Sequence, residues 1–160
     1  MKKMEKKTGI VGFTGTFRES IADVKEGSKV VFTGSVAVCT PFIELLAYTV
    51  RDRGFDMLYV PRADAKEARK IREIEHIGFS VVDEKGNPKN PDAIVVLGGL
   101  AMPKFGCPPE DVIRMIEDIS GDKKPKIIGV GFMNIFESMG WDKKIKFDTL
   151  IDTTMEVIIK

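Results

Sequence analysis

The stretch KVVFTGSVAVCTPFIELLAYTVRDRGFDMLYV, residues 29–60, decides the fold class. It begins and ends with short runs of β-branched and aromatic residues, 29–33 and 55–60. Between these runs, Thr40 and Pro41 provide a typical helix start, since a hydroxyl residue caps the first turn and proline fits the first helical position. The stretch therefore predicts a strand, a helix and a second strand, the unit from which parallel sheets are built.

The rest of the sequence continues this alternation of strand-like and helix-like segments. Further strands are predicted at 79–82, 93–97, 126–130 and 155–159, and helices at 17–25, 64–77, 108–119 and 134–139. Strands that are apolar on both faces and separated by helices are typical of a covered parallel sheet. We therefore predict one domain over residues 1–160 with a three-layer, doubly wound α/β fold, Rossmann-like or flavodoxin-like, and a mostly parallel sheet. The last strand could be antiparallel at an edge.

The predicted helix 64–77 follows from apolar residues spaced for one helical face. On its outer face, charge pairs such as Arg69 with Glu73 and Arg72 with Glu75 would be neighbours. The only histidine, His76, would then lie at the helix end opposite a ligand crevice. Trp141, after the short helix 134–139, is expected to pack in the core or at an interface.

Charge and hydropathy indicate a soluble protein of the cytoplasm. The 25 basic and 24 acidic residues nearly cancel, so no overall field would attract nucleic acid or a membrane surface. The basic start, residues 1–7, is read as a solvated tail, and no apolar stretch follows it that would suggest a secretory signal. The apolar runs are strand-sized, and two cysteines do not make a disulfide framework.

In a doubly wound sheet the ligand crevice lies beyond the carboxyl ends of the strands. Four predicted loops meet that description: 34–40, 61–64, 98–107 and 129–134. Glycines there either approach a ligand closely or simply allow tight turns. The candidate ligand-binding residues in these loops are Gly34, Ser35, Thr40, Arg62, Gly98, Gly99, Gly129, Gly131 and Asn134. Arg62 suits a phosphate or carboxylate.

The familiar phosphate-binding motifs are incomplete. No G-x-x-x-x-G-K-[ST] loop occurs, which argues against a P-loop NTPase. The nearest approach to G-x-G-x-x-G is Gly129-x-Gly131-x-x-Asn134, which lacks the third glycine. A helix start there would still offer free amides to an anion. The sequence therefore disfavours typical dinucleotide binding and identifies no cofactor.

The two cysteines are the candidate catalytic residues. Cys39 precedes Thr40-Pro41 and Cys107 precedes Pro108-Pro109, so each would lie at a helix start, where amides and the helix dipole favour thiolate. If the first and fourth predicted strands are adjacent, both cysteines flank the point where the chain reverses its winding. The alternative is that each is a small buried packing residue. No metal site is predicted, because neither cysteine has partners at ligand spacing.

Three strings together carry a family resemblance: VFTGS at 31–35, VVLGGLAMP at 95–103 and IGVGFM at 128–133. In this order they resemble a small family of uncharacterised archaeal proteins, chiefly from methanogens, over nearly the whole chain. The resemblance implies a cytoplasmic location. It implies no activity for this chain and identifies no catalytic residue in it.

Three hypotheses for function stay open. The first is a protein that binds a small molecule or nucleotide-like ligand at the glycine loops. The second is an enzyme that uses Cys39 or Cys107 on a small substrate or cofactor. The third is an interaction module, including a homo-oligomer, that docks through the 98–107 loop with Leu100, Met102 and Phe105.

Overall fold

A computed structural model of the protein describes residues 5–160. Its seven strands form one sheet, bounded as follows: β1 Lys29–Gly34, β2 Asp56–Pro61, β3 Arg69–Ile74, β4 Gly78–Lys85, β5 Ala93–Leu97, β6 Lys126–Phe132 and β7 Thr149–Thr153. The four α-helices are α1 Gly9–Ser20, α2 Thr40–Thr49, α3 Pro109–Ser120 and α4 Ile135–Ser138. The strand order across the sheet is β4-β3-β2-β1-β5-β6-β7.

The sheet is mostly parallel. Strands β1, β2, β5, β6 and β7 pair in parallel, whereas β3 is antiparallel to both β2 and β4. Helices α1 and α2 contribute to one core on one face of the sheet, and α3 and α4 contribute to a second core on the other face. The predicted α/β fold with a mostly parallel, doubly covered sheet is therefore confirmed, and β1 does lie beside β5. The final strand is parallel to its neighbour.

Two aspartates fix the starts of parallel strands by the same pattern of contacts. The N–H of Asp92, just before β5, donates to the Lys29 carbonyl (2.8 Å), and the Asp92 carboxylate accepts from the Lys29 N–H (3.0 Å). Asp148, just before β7, makes the equivalent pair with Ile127 (2.8 and 2.7 Å). Each aspartate thus extends the hydrogen-bond ladder by one step at the amino end of the sheet.

The predicted helix 64–77 is wrong. A short 3-10 turn, Ala65–Glu67, leads directly into β3, and His76 is exposed in the turn between β3 and β4 with φ 65°. Arg72 pairs across the strands with Glu84 (2.7 Å) instead of along a helix with Glu75. The pairing of β3 with two strands outweighs a helical pattern that is weak on its own.

Other boundaries also differ from prediction. Helix α1 starts earlier than predicted, and the hydroxyls of Thr14 and Thr16 donate to carbonyls one turn back (3.0 and 2.7 Å) instead of capping the helix. The last strand is Thr149–Thr153, whereas 155–159 has no regular structure. Trp141 is buried against Phe136, as expected for a core residue.

The basic start of the chain falls partly outside the described residues, which exclude 1–4. Within the described part, Lys7 pairs with Glu19 of α1 (2.7 Å). No helix among residues 5–160 is long and apolar enough to cross a membrane.

Candidate functional site

The carboxyl end of the sheet gathers the predicted loops. Because β1, β2, β5 and β6 are parallel, the segments that follow them all leave from the same end. The chain passes from β1 to β2 on one side, whereas β5 leads to β6 on the other, so the winding reverses between β1 and β5. This is the place where open α/β sheets usually hold a ligand.

A buried thiol fills the space between the ends of β1 and β5. Cys39 precedes α2, and its sulfur lies 3.2 Å from the Ser35 hydroxyl. A Cβ added to Gly34 would lie 2.5 Å from the Cys39 Cβ, and one added to Gly99 would overlap the Cys39 sulfur. Both Cys39 and Ser35 are buried. The two glycines therefore make room for Cys39. The side chain of this cysteine fills the space that would have been open to a ligand under the ligand-binding interpretation of these glycines.

The other predicted glycines also face protein atoms. A Cβ at Gly98 would lie 2.7 Å from Ile135, and one at Gly131 would lie 2.9 Å from Phe136. A Cβ at Gly129 would lie 2.7 Å from Leu150. Gly129 and Gly131 belong to β6 itself, so they allow β7 and α4 to approach that strand closely.

A backbone amide at the start of α4 already has a hydrogen-bond partner within the protein. The Asn134 N–H donates to the Asp152 carboxylate (2.9 Å), and Asn134 has the left-handed φ of 61°. Burial raises the pKa of the Tyr59 hydroxyl, and the neighbouring Thr40 side chain, at the start of α2, opposes that shift. Both predicted polar residues therefore have protein partners in this structure.

The two cysteines belong to different cores. Cys39 packs in the core beneath α1 and α2, and Cys107 packs in the core beneath α3 on the other face of the sheet. Burial raises the pKa of the Cys107 thiol, and the nearby Asp111 raises it further. Cys107 is therefore protonated at neutral pH, although its place before α3 had favoured thiolate. Among residues 5–160 there is no group of three His, Cys, Asp or Glu side chains arranged to hold a metal ion.

Arg62 lies in a predicted loop that borders an open cleft. The cleft has a volume of about 730 Å³, within the usual range for ligand pockets. It lies between the turn after β2, the segment after β4 and one side of α3. Its lining residues are Arg62, Ala63, Asp64, Ala65, Lys66, Pro88, Lys89, Asp111, Arg114, Met115, Asp118 and Ile119.

The turn that carries Arg62 is held firmly in an unusual conformation. Arg62 and Ala63 both have left-handed backbone angles (φ 49° and 57°). The Arg62 N–H donates to the Gly34 carbonyl (2.9 Å), and the Ala63 N–H donates to the buried Thr33 hydroxyl (3.0 Å). Thr33 in turn donates to the Val60 carbonyl (2.8 Å). Strand β1 thus fixes the position of a strained turn, and such turns are concentrated at functional sites.

The cleft has a slight excess of positive charge. Four cationic side chains and three carboxylates line it, and some of these groups already form hydrogen bonds or ion pairs with other protein groups. Arg62 donates one N–H to the Phe105 carbonyl (2.9 Å), which leaves four guanidinium N–H groups for other acceptors. Arg114 pairs with Asp111 (3.2 Å). Sequence reasoning found Arg62 but missed Lys66, Lys89 and Arg114, because they come from three separate segments without a shared motif.

A second cleft, of about 630 Å³, lies at the amino end of the sheet. Four of its charged groups already serve the fold: Lys126 pairs with Asp23 (2.8 Å), and Asp92 and Asp148 hold the strand starts. Its other charged lining residues are Lys25, Lys124 and Lys146. It also lies at the end of the sheet opposite the usual ligand crevice. The Arg62 cleft is therefore the better candidate.

Comparison with known proteins places the chain among archaeal relatives. An uncharacterised protein of Methanocaldococcus jannaschii is 38% identical over 99% of this chain and 94% of its own length. One from Methanothermobacter thermautotrophicus is 35% identical over 98% of this chain and 96% of its own.

The fold itself has a solved counterpart. The crystal structure of a protein of unknown function from Methanothermobacter thermautotrophicus aligns with a TM-score of 0.87 and 33% identity. The alignment covers 100% of this chain and 97% of that one. Residues 8–156 match the family described as uncharacterised protein conserved in archaea, DUF2124. The resemblance read from three short strings is therefore confirmed, and the chain belongs to the DUF2124 family.

Proposed function

We propose that this protein binds a small anionic molecule, bearing a phosphate or carboxylate, in the cleft beside Arg62. The observation that carries the proposal is the arginine itself. Arg62 lines the cleft, and one of its N–H groups is held by the Phe105 carbonyl, which limits the freedom of the guanidinium. Its other donors suit a planar anion.

The surroundings of Arg62 support the same proposal. Lys66 and Lys89 add positive charge along the cleft, and the fixed turn at Arg62–Ala63 limits the entropy lost on binding. The cleft volume suits a molecule of nucleotide size. The other residues first considered for the ligand stay a prediction, namely Gly34, Ser35, Thr40, Gly98, Gly99, Gly129, Gly131 and Asn134. Their protein contacts favour a role in shaping this end of the sheet.

The test starts with native mass spectrometry of freshly purified protein, which reports any retained ligand. Calorimetric titration with AMP and with citrate then probes phosphate and carboxylate binding. We expect Arg62→Gln to weaken binding of the better probe at least about tenfold, the effect of losing a charge-assisted hydrogen bond pair.

Arg51→Gln is the matched control, because Arg51 is also exposed but stacks on Tyr48 after α2, away from the cleft. Equal affinities in Arg62→Gln and the wild-type protein would refute the assignment of this site. Retained ligand that survives Arg62→Gln unchanged would do the same.

The enzyme hypothesis, with Cys39 or Cys107 as nucleophile, makes a separate prediction. Both side chains are buried, and burial raises the pKa of Cys107. We therefore expect both thiols to react more slowly with iodoacetamide at pH 7 than free cysteine does, and to reach the free rate in urea. Peptide mapping assigns each rate. A thiol that reacts faster than free cysteine in the native protein would revive the enzyme hypothesis.

The interaction hypothesis for the 98–107 loop loses one of its three contact residues. Leu100 is fully buried in the core beneath α3 and cannot reach a partner. Much of this loop forms two short 3-10 turns, Gly98–Ala101 and Pro103–Phe105, the first of which is buried throughout. We therefore favour ligand binding over docking at this loop.

A further inference from the structure

The segment after β7 exposes an unusual amount of apolar surface. Val157, Ile158 and Ile159 are 89%, 77% and 95% exposed. The sequence of residues 155–159, Met-Glu-Val-Ile-Ile, is rich in strand-forming residues, and on sequence alone it predicts a strand. It has no regular structure here. A strand-forming apolar segment without a partner strand is a ready element for pairing with another chain.

This segment cannot pair with its own β7. Only Thr154 separates it from the end of β7, and a hairpin needs at least two turn residues, usually including Gly, Asn or Asp. The Met155 N–H lies 3.4 Å from the Met133 sulfur, in the loop after β6. The segment is therefore directed away from the free side of its own strand.

The two outer strands of the sheet differ in how they are protected. On β4, the Val81 N–H donates to the Glu44 carboxylate (2.8 Å), and Asp83, Glu84 and Lys85 add charges. Charged residues of this kind prevent unwanted strand pairing. Strand β7 pairs only with β6 among the described strands and carries a single charged residue, Asp152. The unprotected side of the sheet is thus the one beside the apolar segment.

We propose that β7 and the 155–159 segment together form an interface with a second copy of this chain. Each molecule carries both halves of the contact, a free strand side and a free strand segment. Two copies related by a two-fold axis near Thr154 satisfy both halves at once. The lengths agree, because β7 and the segment have five residues each on either side of Thr154. In this antiparallel arrangement, 155–159 of one copy lies beside Thr149–Thr153 of the other.

The apolar area is sufficient for such a dimer. A fully exposed side chain of this size offers roughly 100 Å² of apolar surface. The segment's Met155, Val157, Ile158 and Ile159 offer roughly 300 Å² on this scale. Exposed side chains outside the segment, Ile10 and Val11 of α1 and Met133 of the loop after β6, offer roughly 200 Å² more. A standard interface buries about 800 Å² per partner, of which about 60% is apolar. The two values match when the exposed side chains of α1 and of the loop after β6 also take part in the interface.

The first test measures the mass of the full chain in solution by sedimentation velocity over a hundredfold range of concentration. We expect wild-type protein to be a dimer and the double variant V157K/I159K to be a monomer. Ile77→Lys is the matched control, because Ile77 is 73% exposed in the turn between β3 and β4 and should leave the dimer intact. Circular dichroism establishes that each variant is folded. A monomeric wild-type protein, or a dimer that persists in V157K/I159K, would overturn the proposal.

The second test addresses the two-fold axis. If Thr154 faces its own copy, the two Cα atoms lie about 4.5–5.5 Å apart, within the range that a disulfide can span. Thr154→Cys should then form a linked dimer on mild oxidation, whereas Ile77→Cys should not. The native Cys39 and Cys107 are buried and do not compete. Linkage of Thr154→Cys no faster than Ile77→Cys would rule out this geometry, and neither test depends on the ligand proposal.

Discussion

Gly99 and Cys39 show how a single missing side chain shapes the carboxyl end of the sheet. Gly99 follows β5, and Cys39 reaches across from the start of α2 to fill the space that a side chain at 99 would take. Ser35 closes the same space from the end of β1. The close approach of these three residues therefore determines how near the loops after β1 and β5 can lie.

We expect Gly99→Ala to destabilise the protein by about 1–3 kcal/mol, the usual cost of overpacking a core. Cys39→Ala removes the sulfur that the new methyl group would meet. The double variant should therefore lose less stability than the sum of the two single variants. Urea unfolding of all four proteins measures this coupling. Strict additivity would mean that Gly99 and Cys39 do not share the space.

The glycines illustrate what could be inferred at the residue scale. That Gly98 and Gly99 follow a strand at the carboxyl end of the sheet was predictable from the sequence, and the structure agrees, whereas Gly34 is the last residue of β1. Which atoms fill the space above Gly98 and Gly99 was not predictable, because those atoms come from segments distant in sequence: Ile135 and Gly131 for Gly98, and Cys39 for Gly99. A glycine that admits a ligand and a glycine that admits a neighbouring side chain look the same in a single sequence.

The hairpin of β3 and β4 shows the same limit at the scale of elements. Ala68, Ile71 and Ile74 have helical spacing, and the surrounding charges also suit a helix. In the structure, Ile71 alone of the β3 residues is buried, packed in the core beneath α2. The hydrogen bonds to β2 and β4 are long-range and leave no periodic signal in the sequence. By contrast, the place of α2 was predictable from local signals, its Thr-Pro start and the later Gly54. Its ends still differ, because Cys39 and not Thr40 is the N-cap, and a 3-10 turn, Arg51–Arg53, lies between the helix and Gly54.

The aspartates before β5 and β7 offer a test at this scale. Asp92 accepts from the Lys29 N–H and from the Lys123 ammonium (2.9 Å), and the latter contact lowers the pKa of the Asp92 carboxyl. Asp92→Ala removes both contacts. We expect a loss of about 1–2 kcal/mol in the free energy of unfolding, as for a charged hydrogen-bond acceptor. Asp122→Ala, in the exposed turn after α3, is the control. An equal effect of both substitutions would contradict this role for Asp92.

For the whole molecule, the alternation of strands and helices was enough to predict the layers and the adjacency of β1 and β5. A loop between the predicted strands 79–82 and 93–97 also followed from the sequence, whereas the contacts of that loop did not. That connection is the extended segment 86–92, in which the Gly86 N–H donates to the Ala68 carbonyl (3.1 Å) and the Asn90 N–H to the Ile119 carbonyl (2.7 Å). This segment, not a helix, borders the Arg62 cleft on one side. The cleft exists because no helix occupies that place.

The stability of the whole molecule should depend on pH in two separate ranges. Arg18 lowers the pKa of Asp52 to about 2, and Arg72 lowers the pKa of Glu84 to about 2. Because these folded pKa values lie below the unfolded ones, 3.8 and 4.5, the ionised carboxylates stabilise the fold above about pH 4.5. That contribution is lost as the pH falls toward 2. The opposite holds for Cys107, whose raised pKa means that stability falls as the pH rises above 9.0.

Urea unfolding midpoints at about pH 3, 7 and 10 measure both ranges. We expect the highest midpoint near neutral pH. Asp52→Asn should reduce the difference between the midpoints at pH 7 and pH 3, because the neutral amide no longer titrates. Cys107→Ala should reduce the difference between pH 7 and pH 10, whatever its cost at pH 7. Glu117→Gln, at an exposed position of α3, should change neither difference. If Asp52→Asn keeps the full acid loss, the Arg18–Asp52 pair that joins α1 to the turn after α2 does not contribute to the acid stability of the fold.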